Sequence, residues 1–383
     1  MAFSLKLPKL SIAGEGAVQE AITNLGHKKD LTRAFVVTDK QLLDYGVLDT
    51  LFTALEALEF EYVVFDDVVP NPTATLVHKG ATQYQASDCD CLIAVGGGSA
   101  IDCAKAIRII ASNGGQISDY EGIGKVVVDG DFFIAINTTA GTSAEVTSNS
   151  VITDEARQVK MVIIDDHQIP DIAVNDPTLM LGLPAHVTAA TGMDALTHAV
   201  EAYVSVGSHT LTKPTALEAI RLITQWLPVA VDDGLNLEAR DQLACAQFLA
   251  GMAFNSAGLG LVHAMAHQPG ATHNLPHGVC NAIILPHVCR FNAQDNPRPF
   301  RDIAVSMGCD VTDMDDIQAA DACIDAIFML SQRVGIPVSF SSMGVEGIDL
   351  DQWVGKALND PCLGGNPRVP SNVEIHDLYV QVV

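Results

Sequence analysis

The stretch Cys91-Leu-Ile-Ala-Val-Gly-Gly-Gly-Ser-Ala-Ile-Asp102 contains a strand, a turn and the start of a helix in one short segment. Residues 91–95 form a continuous apolar run, which is typical of a strand buried on both faces. Three glycines follow, and residues 100–111 have helical apolar spacing. A strand that meets a helix across a glycine turn predicts a parallel α/β unit whose turn can approach a phosphate closely. The alternative is a tight strand-to-helix turn without a ligand.

The rest of the first half repeats this alternation of strand and helix. Further β-branched or apolar runs predict strands, and segments with helical spacing lie between them. The predicted strands are 33–39, 61–65, 91–95, 132–137 and 160–164, and the predicted helices are 48–58, 78–86 and 100–111. Strands that alternate with helices indicate a largely parallel sheet covered on both faces. We therefore predict an N-terminal, Rossmann-like α/β domain.

The pattern changes beyond about Pro184. Apolar residues recur at helical spacing and β-branched runs become rare. The predicted helices are 187–203, 215–227, 237–268 and 321–334. We therefore expect an α/β domain over residues 1–182, followed by an all-α domain over residues 183–383.

Composition limits the class of protein. The 383 residues are 48% hydrophobic and 17% charged, as expected of a soluble globular protein with a large core. The formal net charge of -25 argues against binding to nucleic acids or anionic membranes. Nine cysteines without a Cys-x-x-Cys pair favour reduced thiols, and the N-terminus lacks the apolar core of a signal peptide, so we expect a cytoplasmic protein. The apolar stretch 242–266 contains several polar residues and glycines, which favours a buried helix over a membrane span.

Four residues of the second half have the composition of a metal site. Asp194 and His198 are four apart, so they share one face of a predicted helix. His263 and His277 complete a set of three imidazoles and one carboxylate. Such a set suits Fe²⁺ or Zn²⁺ and suits Mg²⁺ or Ca²⁺ poorly. The alternative for the first pair is a capping acid and a core histidine.

His267 is a fifth candidate, four residues after His263 on a helix predicted to end at Pro269-Gly270. A metalloprotease motif would require Glu after the first histidine, where this chain has Ala264. A four-coordinate site needs no fifth ligand. We therefore interpret His267 as a residue that transfers protons.

Two further segments favour a nucleotide site. The loop from Asn137 to Thr147 is rich in hydroxyl side chains at the end of a predicted strand, where open parallel sheets bind ligands, although it could also cap a helix. Asp39 ends another predicted strand, where a carboxylate can accept a hydrogen bond from a ribose 2′-hydroxyl and repel a 2′-phosphate. Asp39 thus favours NAD over NADP, with an ordinary helix N-cap as the alternative. The chain has no Gly-x-Gly-x-x-Gly fingerprint.

The chain resembles the iron-dependent (group III) alcohol dehydrogenases along nearly its whole length. The resemblance is carried by four segments: Gly96–Lys105, Thr138–Thr142, Ala189–Tyr203 and Gly260–Gly278. It implies a dehydroquinate synthase-like two-domain fold and NAD-linked activity on a small alcohol or aldehyde such as ethanol, lactaldehyde or a propanediol. It also implies Fe²⁺, with Zn²⁺ as an alternative, and a homodimer.

The resemblance also assigns residues. Metal ligands correspond to Asp194, His198, His263 and His277, with His267 as an additional histidine. Phe254 and Cys362 correspond to positions that line the substrate or nicotinamide pocket. The positions that correspond to cofactor contacts are Asp39, Asn71, Gly97, Gly98, Ser99, Asp102, Thr138, Thr139, Thr142, Asn149, Lys160 and Leu179.

The sequence departs from the family pattern at two places. Thr142-Ser-Ala-Glu replaces the common Thr-Gly-Ser-Glu beside the phosphate loop. His273, in Ala271-Thr-His-Asn, stands where relatives often have an aromatic residue. We predict that His273 lines the substrate pocket.

The predicted reaction is reversible oxidation of a small primary alcohol by NAD⁺. The metal would act as a Lewis acid on the alcohol oxygen, hydride would pass to the nicotinamide, and His267 would relay the proton. One alternative is a lyase of the dehydroquinate-synthase type, which would require more basic residues than Lys160 to bind a phosphorylated acid. Others are zinc-dependent glycerol oxidation and a metal-storage or sensor role.

Overall fold

The computed structural model describes residues 3–383. These residues divide into two compact units. One consists of Lys6–Leu181, and the other of Gly182–Val383 together with residues 3–5.

The unit Lys6–Leu181 contains all nine strands of the described residues and five of the α-helices. Its strands are β1 (Leu10–Ala13), β2 (Arg33–Val37), β3 (Glu61–Phe65), β4 (Cys91–Gly96), β5 (Gly122–Ile123), β6 (Phe132–Asn137), β7 (Asn149–Asp154), β8 (Val159–Ile164) and β9 (Ile172–Asn175). Its helices are α1 (Ala17–Gly26), α2 (Lys40–Asp44), α3 (Asp49–Ala57), α4 (Ala74–Ala86) and α5 (Gly98–Asn113).

Six of these strands form a sheet in the order β1-β9-β6-β4-β2-β3, and every neighbouring pair is parallel. Both faces of the sheet are buried, because side chains alternate between two apolar clusters. On β2, Phe35 and Val37 belong to the cluster that α4 and α5 cover. Ala34 and Val36 belong to the cluster that α1 and α3 cover. The predicted parallel sheet with helices on both faces is therefore confirmed.

Residues 160–164 form a strand, as predicted, but this strand is not part of the large parallel sheet. This segment is part of β8, which lies in a separate three-stranded sheet of order β5-β8-β7. β7 and β8 pair antiparallel, with Thr153 opposite Lys160. Two strands of the large sheet, β1 and β9, were not predicted, since each has only four residues.

The unit that begins at Gly182 is helical, as predicted. Its α-helices are α6 (Ala185–Val204), α7 (Thr212–Asp232), α8 (Leu237–Ala257), α9 (Leu261–His273), α10 (His277–Ala293), α11 (Arg298–Ser306), α12 (Asp316–Arg333), α13 (Leu350–Ala357) and α14 (Asn372–Val380). α6 is buried on nearly every side between Thr188 and Tyr203, which explains why its apolar residues are not confined to one stripe.

The predicted helix 237–268 is wrong, because the chain turns sharply after Ala257. Gly258 has a φ of 79°, in the left-handed region that favours glycine. α8 and α9 consequently form a pair bent by 106°. Within residues 3–383, no single helix has both the length and the apolar composition needed to cross a membrane, and this bent pair meets that test only when it is taken together.

The predicted helix end at Pro269-Gly270 is also wrong, since α9 continues to His273. Pro269 has no N–H, so the carbonyl of Met265 cannot form its usual bond within the helix. The buried Tyr379 hydroxyl on α14 donates to that carbonyl at 2.8 Å instead. A side chain more than a hundred positions away thus completes α9.

Candidate active site

Helix α6 presents three polar groups of the helical unit on one face. Asp194, His198 and Glu201 are spaced by four and three residues, which corresponds to successive turns. All three side chains are buried, and Asp194 is only 2% exposed. Buried polar groups on one helix face require partners, and these come from α9 and α10.

Helix α10 brings His277 to Asp194. Gly278 permits this approach, because a Cβ at that position would lie 2.2 Å from the carbonyl oxygen of Ala190 on α6. The first turn of α10 therefore lies directly against the backbone of α6. His277 Nε2 is 3.6 Å from Asp194 Oδ1.

One oxygen or nitrogen atom from each of Asp194, His263 and His277 forms a compact group. These atoms all lie within 4.8 Å of one another. Asn281 Nδ2 lies among them, 2.7 Å from Asp194 Oδ1, 3.2 Å from His263 Nε2 and 3.0 Å from His277 Nε2. An amide nitrogen donates through two hydrogens, so Asn281 can serve at most two of these three atoms at once.

The other ring nitrogen of His263 is bound to Glu201. His263 Nδ1 is 2.5 Å from Glu201 Oε2. Burial lowers the pKa of His263 well below its usual value, and the neighbouring histidines lower it further. His263 is thus neutral, and its Nε2 faces the group of ligand atoms.

His198 lies beside this group and not within it. Its ring is stacked against His263 at a centroid distance of 4.6 Å and against Phe254 at 4.3 Å. Phe254 on α8, only 5% exposed, therefore packs directly on a predicted ligand.

His267 belongs to a second polar group. Its Nδ1 is 2.8 Å from Asp360 Oδ2, and its ring is stacked against His277 at a centroid distance of 5.4 Å. One ligand-type atom from each of His267, Asp360 and Cys362 lies within 4.8 Å of the others. Burial raises the pKa of the Cys362 thiol well above its usual value, with the Asp360 charge as a further cause. Cys362 is therefore a protonated thiol near neutral pH.

His273 is bound at the end of α9. Its ring packs edge-on against Trp353 at 5.6 Å. Nδ1 is 2.7 Å from Thr272 Oγ1, and Nε2 is 3.3 Å from the Glu346 carbonyl oxygen. Both ring nitrogens therefore have partners outside the two polar groups.

In the α/β unit, the candidate nucleotide residues gather at the carboxyl edge of the parallel sheet. α3 follows β2 and covers one face, whereas α5 follows β4 and covers the other. Between β2 and β4 the connections therefore leave in opposite directions, which creates a crevice of the kind that binds nucleotides in open α/β sheets. Asp39 follows β2 and Gly97 follows β4.

The glycine turn has no room for side chains at Gly97 and Gly98. A Cβ on Gly98 would lie 2.8 Å from Thr142 Cγ2, and one on Gly97 would lie 3.1 Å from Thr139 Oγ1. The hydroxyl-rich loop after β6 therefore packs directly on the turn. Gly97, the N-cap of α5, makes no side-chain cap bond, so the first N–H groups of α5 can serve a phosphate.

Several other predicted cofactor residues also bind parts of the α/β unit. Asp39 caps α2, since its Oδ1 accepts from Leu42 N at 3.0 Å. Asp102 accepts from Val151 N at 3.0 Å, and burial raises its pKa to about 6. Lys160 Nζ donates to Asn71 Oδ1 at 2.5 Å.

The remaining predicted cofactor residues lie on nearby segments of the same unit. Ser99 is in the first turn of α5, Thr138 directly follows β6, Asn149 begins β7, and Leu179 lies in a short 3-10 helix after β9. Thr138 N donates to the carbonyl oxygen of Gly96 at 3.1 Å, which joins the hydroxyl-rich loop to the glycine turn.

Two family models cover almost the whole chain. One, described as iron-containing alcohol dehydrogenase, matches residues 8–177, and the other, the C-terminal part of the Fe-containing alcohol dehydrogenase family, matches residues 188–383. This chain belongs to the iron-containing alcohol dehydrogenase family. It is an oxidoreductase of the alcohol dehydrogenase type, which confirms the resemblance inferred from its motifs.

Individual relatives of this alcohol dehydrogenase agree in fold and sequence. The 1,3-propanediol dehydrogenase of Citrobacter freundii is 44% identical, over 99% of this chain and 98% of its own. The NAD-dependent methanol dehydrogenase of Bacillus methanolicus is 42% identical, over 96% and 97%. The solved structure of an alcohol dehydrogenase from Oenococcus oeni superposes with a TM-score of 0.97 at 38% identity, over 100% of both chains.

Iron-type chemistry fits the residues of this family member. The group formed by Asp194, His263 and His277 offers one carboxylate and two imidazole nitrogens, which is the ligand chemistry of Fe²⁺ and Zn²⁺. The start of α5 likewise fits a phosphate, because its N-cap Gly97 makes no side-chain cap bond to the first N–H groups of the helix.

The sequence interpretation assigned no role to three residues of this alcohol dehydrogenase: Glu201, Asn281 and Asp360. Spacing could have indicated Glu201, which lies on the face of α6 that carries Asp194 and His198, and Asn281, four residues after His277. Asp360 had no comparable signal, because it lies 93 positions from His267.

Proposed function

We propose that this chain catalyses the reversible oxidation of a small primary alcohol to an aldehyde with NAD⁺. The observation that carries the proposal is the convergence of Asp194, His263 and His277, where burial also lowers the pKa of His263 well below its usual value. The names of the relatives support a small alcohol as substrate, and that of the Bacillus methanolicus enzyme supports NAD.

In this proposal, Asp194, His198, His263 and His277 hold one divalent cation, Fe²⁺ or Zn²⁺. When bound, the cation supplies Lewis-acid polarisation of a substrate oxygen, and NAD(H) supplies the hydride chemistry. The stacking of His198 on His263 supports its inclusion among the ligands.

His267 is the proposed proton-transfer residue. Asp360 binds Nδ1, which fixes the ring and leaves Nε2 to exchange a proton. The group of Asp194, His263 and His277 has an apolar neighbour, because Phe254 stacks on His198 beside it. We propose that Phe254 and the protonated Cys362 line the pocket for the alcohol, while the contacts of His273 lend no support to a pocket role.

The nucleotide is proposed to bind at the carboxyl edge of the parallel sheet. The glycine turn and the uncapped start of α5 would bind the pyrophosphate, and Asp39 would accept from the ribose 2′-hydroxyl through the oxygen that does not cap α2. The other predicted contacts would surround these groups.

We further propose domains of residues 1–182 and 183–383, a cytoplasmic homodimer, and no binding to nucleic acid or membranes. The net charge of -25 supports the last point. Light scattering of the purified protein tests the dimer, and a monomeric mass would reject it.

The experiment that tests the function is reconstitution of metal-free protein with Fe²⁺, Zn²⁺, Co²⁺ or Mn²⁺, followed by an NAD(H)-coupled screen of small alcohols and aldehydes. We expect metal-dependent turnover with NADH and loss of metal and turnover in His263→Ala. Full metal content and activity in that variant would reject the ligand assignment. A clear preference for NADPH would reject the role of Asp39.

A further inference from the structure

Glu201 occupies an unusual position for a carboxylate. It is 4% exposed, on α6, and lies on the face that carries Asp194 and His198. Among the described residues, no Lys or Arg pairs with it, so its charge is not balanced by an ordinary salt bridge. A buried carboxylate of this kind needs strong hydrogen-bond donors.

The donors come from the start of α9. Glu201 Oε1 accepts from Val262 N at 2.7 Å, and the backbone N–H groups of Gly260 and His263 also bind the carboxylate. Gly260 is the N-cap of α9 and has no side chain to do this. The carboxylate therefore caps α9 from a neighbouring helix, where the helix dipole favours a negative charge.

The second oxygen of the same carboxylate reaches a ring. Oε2 is 2.5 Å from His263 Nδ1. Burial raises the pKa of Glu201 to about 8, while the backbone N–H groups at the start of α9 lower it. In its ionised form the carboxylate only accepts, so Nδ1 carries the hydrogen and Nε2 the lone pair. That lone pair faces Asp194 and His277.

We propose that Glu201 is a positioning residue that binds both the start of α9 and Nδ1 of His263. By keeping the hydrogen of His263 on Nδ1, it leaves His263 Nε2 available as a metal ligand. The inference rests on the proposed metal site. Carboxylates that bind the outer nitrogen of a ligating histidine commonly tune metal affinity in this way.

The Glu201→Gln variant tests the idea with almost no change in shape. A glutamine has one accepting oxygen and one donating nitrogen. If the oxygen accepts from Val262 N, the nitrogen faces His263 Nδ1–H, and two donors meet. His263 relieves this conflict by moving its hydrogen to Nε2, which removes the lone pair from the ligand group.

We expect E201Q to bind Co²⁺ and Zn²⁺ about 10- to 100-fold more weakly than the wild type, measured by competition with a chelator. In metal-free protein above pH 8, where Glu201 is ionised, ¹⁵N NMR of labelled histidines should show His263 protonated on Nδ1 in the wild type and on Nε2 in E201Q. A purely structural role would not move this signal. Affinity within about twofold of wild type, or an unchanged tautomer, would overturn the inference.

Asp165→Asn is the matched control, because Asp165 Oδ1 lies 2.6 Å from Nδ1 of His167, and neither residue belongs to the two groups of metal-ligand type. It should bind metal like the wild type. An equal loss in D165N would show that the effect is not specific to Glu201. If E201Q does not fold, Glu201→Asp is the second variant, because it retains the charge on a side chain too short to reach both partners. Metal affinity weakened to the extent predicted for E201Q would support the inference. Wild-type affinity would overturn it.

The same measurements separate this inference from the proposed function. Wild-type protein that binds metal but turns over no alcohol would reject the function and leave the comparison of variants intact. Wild-type protein that binds no divalent metal would reject both.

Discussion

At the scale of single residues, the site of this alcohol dehydrogenase depends on which atom of each histidine is available. Glu201 binds Nδ1 of His263 and Asp360 binds Nδ1 of His267, so both rings present Nε2. Their proposed roles differ because His263 lies in the group with Asp194 and His277, whereas His267 lies with Asp360 and Cys362. The proposed role of each histidine therefore follows from the residues around it.

Replacing His267 by asparagine should separate proton transfer from metal binding. We expect kcat to fall by about 10²- to 10⁴-fold, the usual contribution of a positioned acid–base group. Metal content should remain at the wild-type level, since three other histidines and Asp194 are unchanged. The measurements are steady-state kinetics and metal analysis of the same preparation. Loss of metal in this variant would make His267 a ligand.

The residue scale also shows what the sequence could predict. Asp194, His263 and His277 could be selected because metal-type side chains recur at helical spacing within a few short segments. The importance of Asp360 could not be predicted, since its contact with His267 depends on how the segment after α13 returns to α9. The position of His273 against Trp353 depends on tertiary packing in the same way.

At the scale of elements, the positions of α9 and α10 depend on two close contacts. Tyr379 satisfies the carbonyl that Pro269 leaves without a donor, and Gly278 allows α10 to lie on α6. The sequence rules for proline predicted an early end to α9 because they describe a helix alone. The compensating hydroxyl is on α14, beyond the reach of any local pattern.

Removing the Tyr379 hydroxyl should destabilise the helical unit. In Tyr379→Phe the Met265 carbonyl is left buried without a donor, at a cost of about 1–3 kcal/mol. Urea unfolding measures this difference. Tyr62→Phe is the control, because that hydroxyl lies at 3.3 Å from Glu56 in an exposed contact. Equal effects in the two variants would contradict the role given to Tyr379.

Adding a methyl group at Gly278 should damage the metal site directly. The Cβ of Gly278→Ala would lie 2.2 Å from the Ala190 carbonyl oxygen, so α10 must move away from α6 and carry His277 with it. We expect weaker Co²⁺ binding and an altered Co²⁺ absorption spectrum. Gly355→Ala on α13 is a matched control, because its Cβ would meet no atom within 4 Å. Wild-type binding by G278A would disprove this account.

At the scale of the whole molecule, the two units carry different chemistry. The described candidate metal groups lie in the unit that begins at Gly182, and the glycine turn lies in Lys6–Leu181. Composition and alternation predicted both architectures, because buried parallel strands and long helices have distinct apolar patterns. They did not predict the small second sheet, whose strands resemble those of the main sheet.

Ligands should therefore protect different parts of the chain from hydrogen exchange. Metal at about 100 times its Kd should stabilise its binding unit by about 2.7 kcal/mol and slow exchange in α6, α9 and α10. NADH should slow exchange around β4 and the start of α5. Mass spectrometry of peptides after exchange measures both. Metal-dependent protection confined to the α/β unit would contradict the proposed sites.

Helix α6 carries Asp194, His198 and Glu201 within two turns, and this arrangement limits which mutations of the helix preserve the site. A substitution alters one group and leaves the other two in place. Deletion of a single residue between Asp194 and His198 would rotate the rest of the helix by about 100° and carry His198 and Glu201 away from Asp194 together. Variation in this lineage should therefore tolerate exchanged side chains along α6 far more readily than a gained or lost residue.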